Sequence, residues 1–115
     1  TPGSENSVYE VLDVSNEYFS QIPQKFSFYQ NYPNPFNPMT QIKYEIPRDG
    51  YVSIAVYDLV GRLVKTLVNE KQSAGYYSIN WDATNKQSLK VSAGMYIYTI
   101  QSGDFSKTKK MILLK

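Results

Sequence analysis

The chain has 115 residues, enough for one domain with a modest core and a tail. It contains neither Cys nor His, which excludes disulfides, thiolate chemistry, zinc sites and Ser-His-Asp triads. The net charge of +2 is too small to indicate a nucleic-acid partner, and no apolar run reaches the roughly 18 residues that a membrane span needs. Eleven tyrosines raise the aromatic share, which favours strands.

Residues 1–25 form an acidic segment without a sustained apolar period. Glu5, Glu10, Asp13 and Glu17 lie in it, and no Lys or Arg precedes Lys25. We therefore expect a linker or the edge of a preceding domain, with one short strand possible over residues 8–14. Because the chain opens with Thr-Pro-Gly-Ser and no apolar leader, we also expect a piece of a longer protein or one whose leader has been removed.

Residues 30–38 read Q-N-Y-P-N-P-F-N-P and cannot form a helix or a central strand. Pro33, Pro35 and Pro38 restrict φ, which predicts a stiff, polyproline-like strap. Tyr32 and Phe36 are the expected anchors, one or both packed against the end of the domain, so that the strap seals the core. The alternative is a segment exposed for a partner that binds proline-rich sequences.

The rest of the chain alternates apolar and polar residues between turns spaced at roughly 8–12 residues, which is typical of an antiparallel sandwich or barrel. We predict strands over residues 41–46, 51–57, 62–68, 76–81, 95–101 and 105–114. A longer polar connection is expected over 69–75 and a loop over 82–92. One apolar face per strand favours a two-sheet sandwich of about seven short strands. The predicted core includes Ile54, Val56, Trp81 and Tyr96.

The polar residues do not indicate catalysis. Four aspartates, at 49, 58, 82 and 104, lie in predicted turns, and nothing suggests a cleft with paired carboxylates. We assign no catalytic residue, no cofactor and no metal. Asp82, Thr84 and Asn85 have the oxygen content of a calcium loop but lack the Gly and closing Glu of an EF-hand. An Asx-turn is the preferred interpretation.

Trp81 is the only tryptophan, and its alternative role is a sugar-stacking platform. Tyrosines predicted on the opposite strand faces would support that role. Some of them must instead lie in the core, because Tyr96, Tyr98 and Ile100 form an equally apolar set. The second function hypothesis is accordingly an extracellular Ig-like or fibronectin-like module that binds carbohydrate or mediates adhesion for a secreted enzyme.

The closing stretch combines lysines with a dense apolar run, and two interpretations apply to it. It predicts a final strand with a solvated basic face, and it also offers a sheet edge with which a partner's strand can pair. The candidate recognition residues are Lys107, Lys109, Lys110, Met111, Leu113, Leu114 and Lys115.

The order of short motifs over residues 26–115 resembles the C-terminal sorting domain of the type IX (Por) secretion system of Bacteroidetes and neighbouring phyla. The motifs are the opening signature at 30–38, V-Y-D at 56–58 followed by G-R at 61–62, W-D at 81–82, A-G-M-Y at 93–96 and K-K-M to L-L-K at 109–115. Ala83 stands where the family usually has Gly, the family usually has a second Gly in the following loop near Ser88, and it prefers Ser at Ala93. The first two departures alter the turn chemistry of the 82–92 loop.

The resemblance implies an Ig-like β-sandwich over residues 26–115 that acts as a non-catalytic signal. A passenger domain N-terminal to it would reach the periplasm by its own signal peptide. The outer-membrane translocon would recognise the sorting domain, and a sortase-like protease would cut within residues 1–29. The passenger would then be secreted or attached to the cell surface through a lipopolysaccharide, unless this copy is retained as a part of the surface protein.

Overall fold

The computed structural model describes residues 22–114, and in that part of the chain seven strands form two antiparallel sheets. The strands are β1 (Ser27–Phe28), β2 (Thr40–Ile46), β3 (Gly50–Tyr57), β4 (Leu63–Gln72), β5 (Gly75–Trp81), β6 (Gly94–Ser102) and β7 (Phe105–Leu113). The predicted all-β sandwich is confirmed. The predicted strand at 8–14, most of the acidic segment 1–25 and the candidate Lys115 lie outside the described residues.

The smaller sheet has the order β1-β2-β5 and the larger sheet the order β4-β3-β6-β7. β2 pairs with β5 along its whole length, from Thr40 opposite Trp81 to Ile46 opposite Gly75. β6 and β7 form a hairpin that turns at Gly103, whose φ of 58° is in the left-handed region that favours glycine. β4 and β7 are therefore the two edges of the larger sheet.

The hydrophobic core lies between the two sheets and takes alternate residues from each long strand. The predicted inward faces of β2 and β3 are buried, and so is the set on β6 that includes Tyr96. The Trp81 ring lies 5.7 Å from the Phe36 ring and 5.4 Å from the Tyr96 ring, measured between centroids. Ile54, Val56, Trp81 and Tyr96 all belong to this core. Each fully buried large apolar side chain stabilises the fold by about 1.5–3 kcal/mol.

Two segments differ from the sequence-based prediction. Residues 69–72 continue β4, so only Ser73 and Ala74 connect it to β5. Residues 69–72 are polar because they lie on an edge strand with mostly exposed side chains. Lys71, for example, is paired with Tyr51, and both side chains are exposed. β1 was not predicted, because two residues are too short for an alternation to be recognised.

Candidate recognition surface

The proline-rich strap, residues 30–38, bends instead of running as a polyproline helix. The chain bends at residues 33–35 and again at 37 and 38, so the predicted polyproline-like shape is wrong. Phe36 is 1% exposed and is an anchor in the core, whereas Tyr32 is 81% exposed. Tyr32 is tied by its backbone instead, since its N–H and C=O both bond to Gln41 at 2.9 Å. Pro33, Pro35 and Pro38 are exposed.

A buried hydrogen-bond network fixes the start of the strap. The buried Asn31 donates its backbone N–H to Tyr98 Oη at 2.8 Å, and its Nδ2 donates to Thr40 Oγ1 at 2.9 Å and to the Pro33 carbonyl at 3.2 Å. The Tyr98 hydroxyl in turn donates to the Tyr29 carbonyl at 3.1 Å. Burial raises the pKa of Tyr98 to about 12. Side-chain amides and hydroxyls thus replace the strand pairing that the prolines prevent.

The strap also closes one half of the β7 edge. Phe36 donates its N–H to the Ile112 carbonyl at 3.0 Å and accepts from the Leu114 N–H at 2.8 Å, as in a short parallel strand pair. Asn34 Oδ1 accepts the Ile112 N–H at 2.9 Å. Gln30 Nε2 donates to the carbonyl of residue 110 at 2.7 Å. The opening and closing motifs of the sequence therefore meet in one hydrogen-bonded unit.

The other half of the β7 edge is open. The bonds to the strap come from residues 110, 112 and 114, so the even-numbered residues of β7 point their backbone groups away from β6. By the same alternation, the N–H and C=O groups of Ser106 and Thr108 point outward. Among residues 22–114, no hydrogen bond from another segment reaches those groups. The free edge expected from the sequence is thus limited to the beginning of β7.

The three described lysines of β7 are divided between the two sides of the sheet. Lys107 and Lys109 are paired with Ile100 and Tyr98, whose side chains point into the core. Lys110 is paired with residue 97 on the outer face. Lys107 and Lys110 are exposed, and Lys109 is half-buried. The lysines therefore do not form one basic cluster, although they are close in sequence.

Two of the candidate recognition residues belong to the core. Met111 is 0% exposed and Leu113 is 5% exposed, so a partner that docks on the folded domain does not reach their side chains. Leu114 is exposed, and so is Ile112, which sequence reasoning did not select. The alternation of the strand was the available signal, because it separates Ile112 and Leu114 from Met111 and Leu113.

Trp81 does not offer a stacking platform. It is 1% exposed, and its Nε1 donates to the Thr84 carbonyl at 2.9 Å. The sugar-stacking interpretation of Trp81 is therefore wrong. The exposed tyrosines Tyr51 and Tyr76 lie on β3 and β5, which belong to different sheets, so they do not form one aromatic surface.

The loop at 82–92 uses its oxygen atoms for turns. Thr84 Oγ1 donates to Asp82 Oδ1 at 2.5 Å and accepts from Lys65 Nζ at 2.9 Å. The hydrogen bond from Thr84, assisted by the Lys65 charge, lowers the pKa of Asp82. The Asn85 side chain caps the next turn by accepting two backbone N–H bonds. Within residues 22–114, no group of three Asp or Glu side chains is placed to hold a metal ion.

The same loop contains two residues in a conformation that favours glycine. Ala83 has φ of 62° and Ser88 has φ of 65°. Ala83 stands directly after Trp81-Asp82, where the resembling family usually has Gly, and Ser88 lies near the second such position. Both residues therefore adopt a backbone conformation that has a steric cost for residues other than glycine.

The turn after β3 is fixed by one aspartate. Asp58 Oδ1 accepts the N–H groups of Val60 and Arg62 at 3.0 and 2.9 Å, and Asp58 Oδ2 accepts from Arg62 Nε at 2.9 Å. The bond from the Arg62 backbone is the largest of the effects that lower the pKa of Asp58. Gly61, with φ of 94°, completes the turn. As a result, Leu59 and Val60 are held outward, 61% and 80% exposed.

Solved structures with a similar fold include a component of a secretion system and a flagellar protein. PorZ of Porphyromonas gingivalis, described as an essential surface component of the type IX secretion system, matches with a TM-score of 0.52 and 19% identity over 78% of this chain and 11% of its own. FlgD of Xanthomonas campestris, described in connection with flagellar hook capping, matches with a TM-score of 0.52 and 22% identity over 79% of this chain and 63% of its own. At these identities the two matches show the fold alone.

Latent PorU of Porphyromonas gingivalis, described as dimeric, matches with a TM-score of 0.60 and 27% identity over 74% of this chain. The match spans 9% of the PorU chain. The search of curated proteins gives no match. Among residues 22–114, no helix is long and apolar enough to cross a membrane.

The model of the secretion system C-terminal sorting domain matches residues 30–114. The match begins at the strap and ends after β7, so it includes both members of the hydrogen-bonded unit. The chain belongs to this family. It is a type IX secretion C-terminal sorting domain, which marks a secreted or cell-surface protein.

Proposed function

We propose that this domain directs a larger protein, N-terminal to it, from the periplasm across the outer membrane through the type IX system and on to surface attachment or release. The family match over residues 30–114 carries the proposal. The outer-membrane translocon and a sortase-like protease are the proposed partners. The proposed cleavage lies within residues 1–29, and the proposed domain boundary lies near residue 26.

The domain acts in this proposal as a folded recognition surface and performs no catalysis. Within residues 22–114, every buried side-chain nitrogen and oxygen has a hydrogen-bond partner in the domain. The aspartates with lowered pKa, Asp58 and Asp82, use their oxygens within turns. Both pKa values are lowered by hydrogen bonds within the turns, and neither aspartate lies in a closed cleft.

The proposed recognition surface consists of those candidate residues of the closing stretch whose side chains are at least partly exposed. Lys107, Lys109, Lys110 and Leu114 remain candidates, together with Lys115 outside the described residues. Met111 and Leu113 contribute by holding β7 in place. Deletion of residues 111–115 is therefore an ambiguous test, because it removes two core side chains together with the surface.

A localisation assay tests the proposal. A periplasm-directed fluorescent reporter is fused to residues 1–115 and expressed in a host with a working type IX system and in its translocon mutant. The same reporter without the domain is the control. We expect surface or medium fluorescence only for the fusion in the working host, and mass spectrometry of the released reporter then gives the cleavage bond.

The opposite result is equally clear. If the fusion is folded and intact but stays in the periplasm of both hosts, the sorting function does not apply to this chain. If it is exported but remains uncut and on the surface, the signal function stands and the proposed cleavage is withdrawn.

A further inference from the structure

The outer face of the larger sheet, the side away from the core, changes character along its length. Residues paired across the sheet lie on the same face, so the register lists the side chains of each row. One row is polar: Asn69, Ser53, Gln101 and Ser106. The next row consists of three threonines and one alanine: Thr66, Ala55, Thr99 and Thr108.

Toward the end of the sheet at which β3 and β7 finish, the same face becomes apolar. The register pairs Leu63 with Tyr57 and Tyr57 with Ile97, and one step further it pairs Met95 with Ile112. Leu63, Met95 and Ile112 are 43%, 38% and 38% exposed. We call these five residues the apolar row, although they occupy two adjacent rows of the register: Leu63, Tyr57 and Ile97 lie in one, and Met95 and Ile112 lie in the next. Together they include residues from all four strands.

Two features border the apolar row. Lys110 is paired with Ile97, so it occupies the β7 position of the row that contains Leu63 and Tyr57. The turn that joins Tyr57 to Leu63 presents the exposed Leu59 and Val60 at the same end of the sheet, on a scaffold fixed by Asp58. Neighbouring apolar side chains exposed in this way on rigid strands mark an interaction surface more often than scattered single residues do.

The charges on this face determine the kind of partner. Across the register-paired positions of the larger sheet, all of which lie in the described part of the chain, the charged side chains on the outer face are Lys71 and Lys110, and none is a carboxylate. In a second copy, the carboxylate that borders this face in the β3–β4 turn is that of Asp58, and it is already paired with Arg62 Nε at 2.9 Å, so it is a poor partner for Lys110. The two lysines lie at opposite ends of the sheet, unlike the clusters of four or more cations that bind anionic lipid.

We propose that the apolar row with Lys110 docks onto a protein of the export machinery whose contact surface is apolar and bordered by carboxylates. This inference rests on the proposed sorting function and specifies which surface is read. Docking would bury the apolar side chains while the Lys110 charge sets orientation and rate of association. The partner then contacts the outer face of β7, with Ile112 and Lys110. It does not contact the opposite side, with Lys107 and Lys109.

The test uses the reporter fusion with two matched pairs of variants. Met95→Thr with Ile112→Thr breaks the apolar row and keeps good strand formers, and its control is Tyr51→Thr at the other end of the same face. Lys110→Glu reverses the charge beside the row, and its control is Lys71→Glu. Circular dichroism and Tm of each purified fusion verify folding. Because the Lys110 side chain is exposed, Lys110→Glu should fold, and it keeps the test valid if the double variant is unstable.

We expect export to fall at least tenfold for the Met95/Ile112 double variant and severalfold for Lys110→Glu, with both controls within twofold of wild type. Equal export by all folded variants overturns the inference and leaves the sorting function standing, whereas absence of wild-type export overturns the sorting function itself. Two further outcomes would also overturn the inference. In the first, the wild type binds phosphatidylglycerol vesicles, and Lys110→Glu abolishes this binding while export is unchanged. In the second, the wild type sediments as a dimer, and the double variant abolishes the dimer while export is unchanged.

Discussion

The strap at 30–38 and the loop at 82–92 are both polar and irregular, yet they are held in different ways. Asn31 and Asn34 of the strap form hydrogen bonds with residues of both sheets, and Phe36 is buried in the core. The loop combines short-range turns with contacts to β4, from the Lys86 N–H to the Val64 carbonyl at 3.0 Å and from Lys65 Nζ to Thr84 Oγ1 at 2.9 Å. Two of its residues, Ala83 and Ser88, are in the left-handed region. The strap thus joins both sheets and the end of β7, whereas the loop has local turns and contacts with one neighbouring strand.

This difference indicates where the sequence is constrained. A segment that joins the two sheets and the end of β7 has few acceptable substitutions, because each removed group leaves a partner in the core or at the edge. The 82–92 loop instead holds Ala83 and Ser88 at positive φ, a conformation that costs a residue other than Gly about 1–2 kcal/mol. The following variants test that comparison by stability measurements.

Phe36→Ala should have the largest effect. It removes a ring packed on Trp81 at the end of the core, and we expect the free energy of unfolding to fall by about 3–5 kcal/mol in urea denaturation. Tyr32→Ala, an exposed side chain of the same strap, is the control and should change stability by less than about 0.5 kcal/mol. Similar losses for both variants would contradict the assignment of Phe36 as the anchor.

Tyr98 predicts an alkaline effect of intermediate size. Its folded-state pKa of about 12 lies above the ordinary value near 10, so the unfolded state loses the proton first. The contribution of the protonated Tyr98 to the free energy of unfolding is fully present below pH 10. It should fall by about 2–3 kcal/mol as the pH rises from 10 to 12. Tyr44 and Tyr29 also have raised pKa values, so the comparison is with Tyr98→Phe, which should flatten that part of the pH dependence. An unchanged slope in Tyr98→Phe would refute the prediction.

Asn34→Ala should cost about 1 kcal/mol, because the Ile112 N–H loses a protein acceptor near the surface, where water replaces it in part. Asn37→Ala, at another exposed asparagine of the strap, is the control. Thermal denaturation of both variants makes the comparison. Equal Tm values would show that the side chain of Asn34 does not hold β7.

Ser88→Gly should have the smallest effect and the opposite sign. Glycine adopts a φ of 65° without the steric cost that serine has, and this gain exceeds the entropy that glycine adds to the unfolded chain. We expect stabilisation by about 0.5–1 kcal/mol. Ala83→Gly is the matched comparison: it should be close to neutral, because Ala83 is buried and loses a packed methyl. A destabilised Ser88→Gly would contradict the interpretation of the loop.

The sequence predicted the parts of the fold that depend on alternation. The strands around Ile42, Val52 and Ile100 were predicted because one buried face produces a period of two. Residues 69–72 were misassigned as a connection because an exposed edge strand has no apolar face. The prediction of a polyproline-like strap was wrong because proline limits only the local φ. The path of the chain is set by contacts with residues about 70 positions away, such as that of Asn31 with Tyr98.

The candidate surface was predicted only in part. The lysines and the last apolar residues were selected as one stretch, but a strand sends neighbouring residues to opposite faces. Met111 therefore lies in the core while Lys110 and Ile112 lie outside. The apolar row could not be found from one stretch of sequence, because its members come from four strands and meet only through the register.

Amide hydrogen exchange, followed by NMR on the full chain, tests the central claim that the strap closes only one half of the β7 edge. We predict slow exchange for the Phe36, Ile112 and Leu114 amides, about a hundredfold or more slower than for Ser106 and Thr108. Fast exchange at Ile112 and Leu114, at the rates of Ser106 and Thr108, would contradict the account, because the strap and the final strand would then not form one unit.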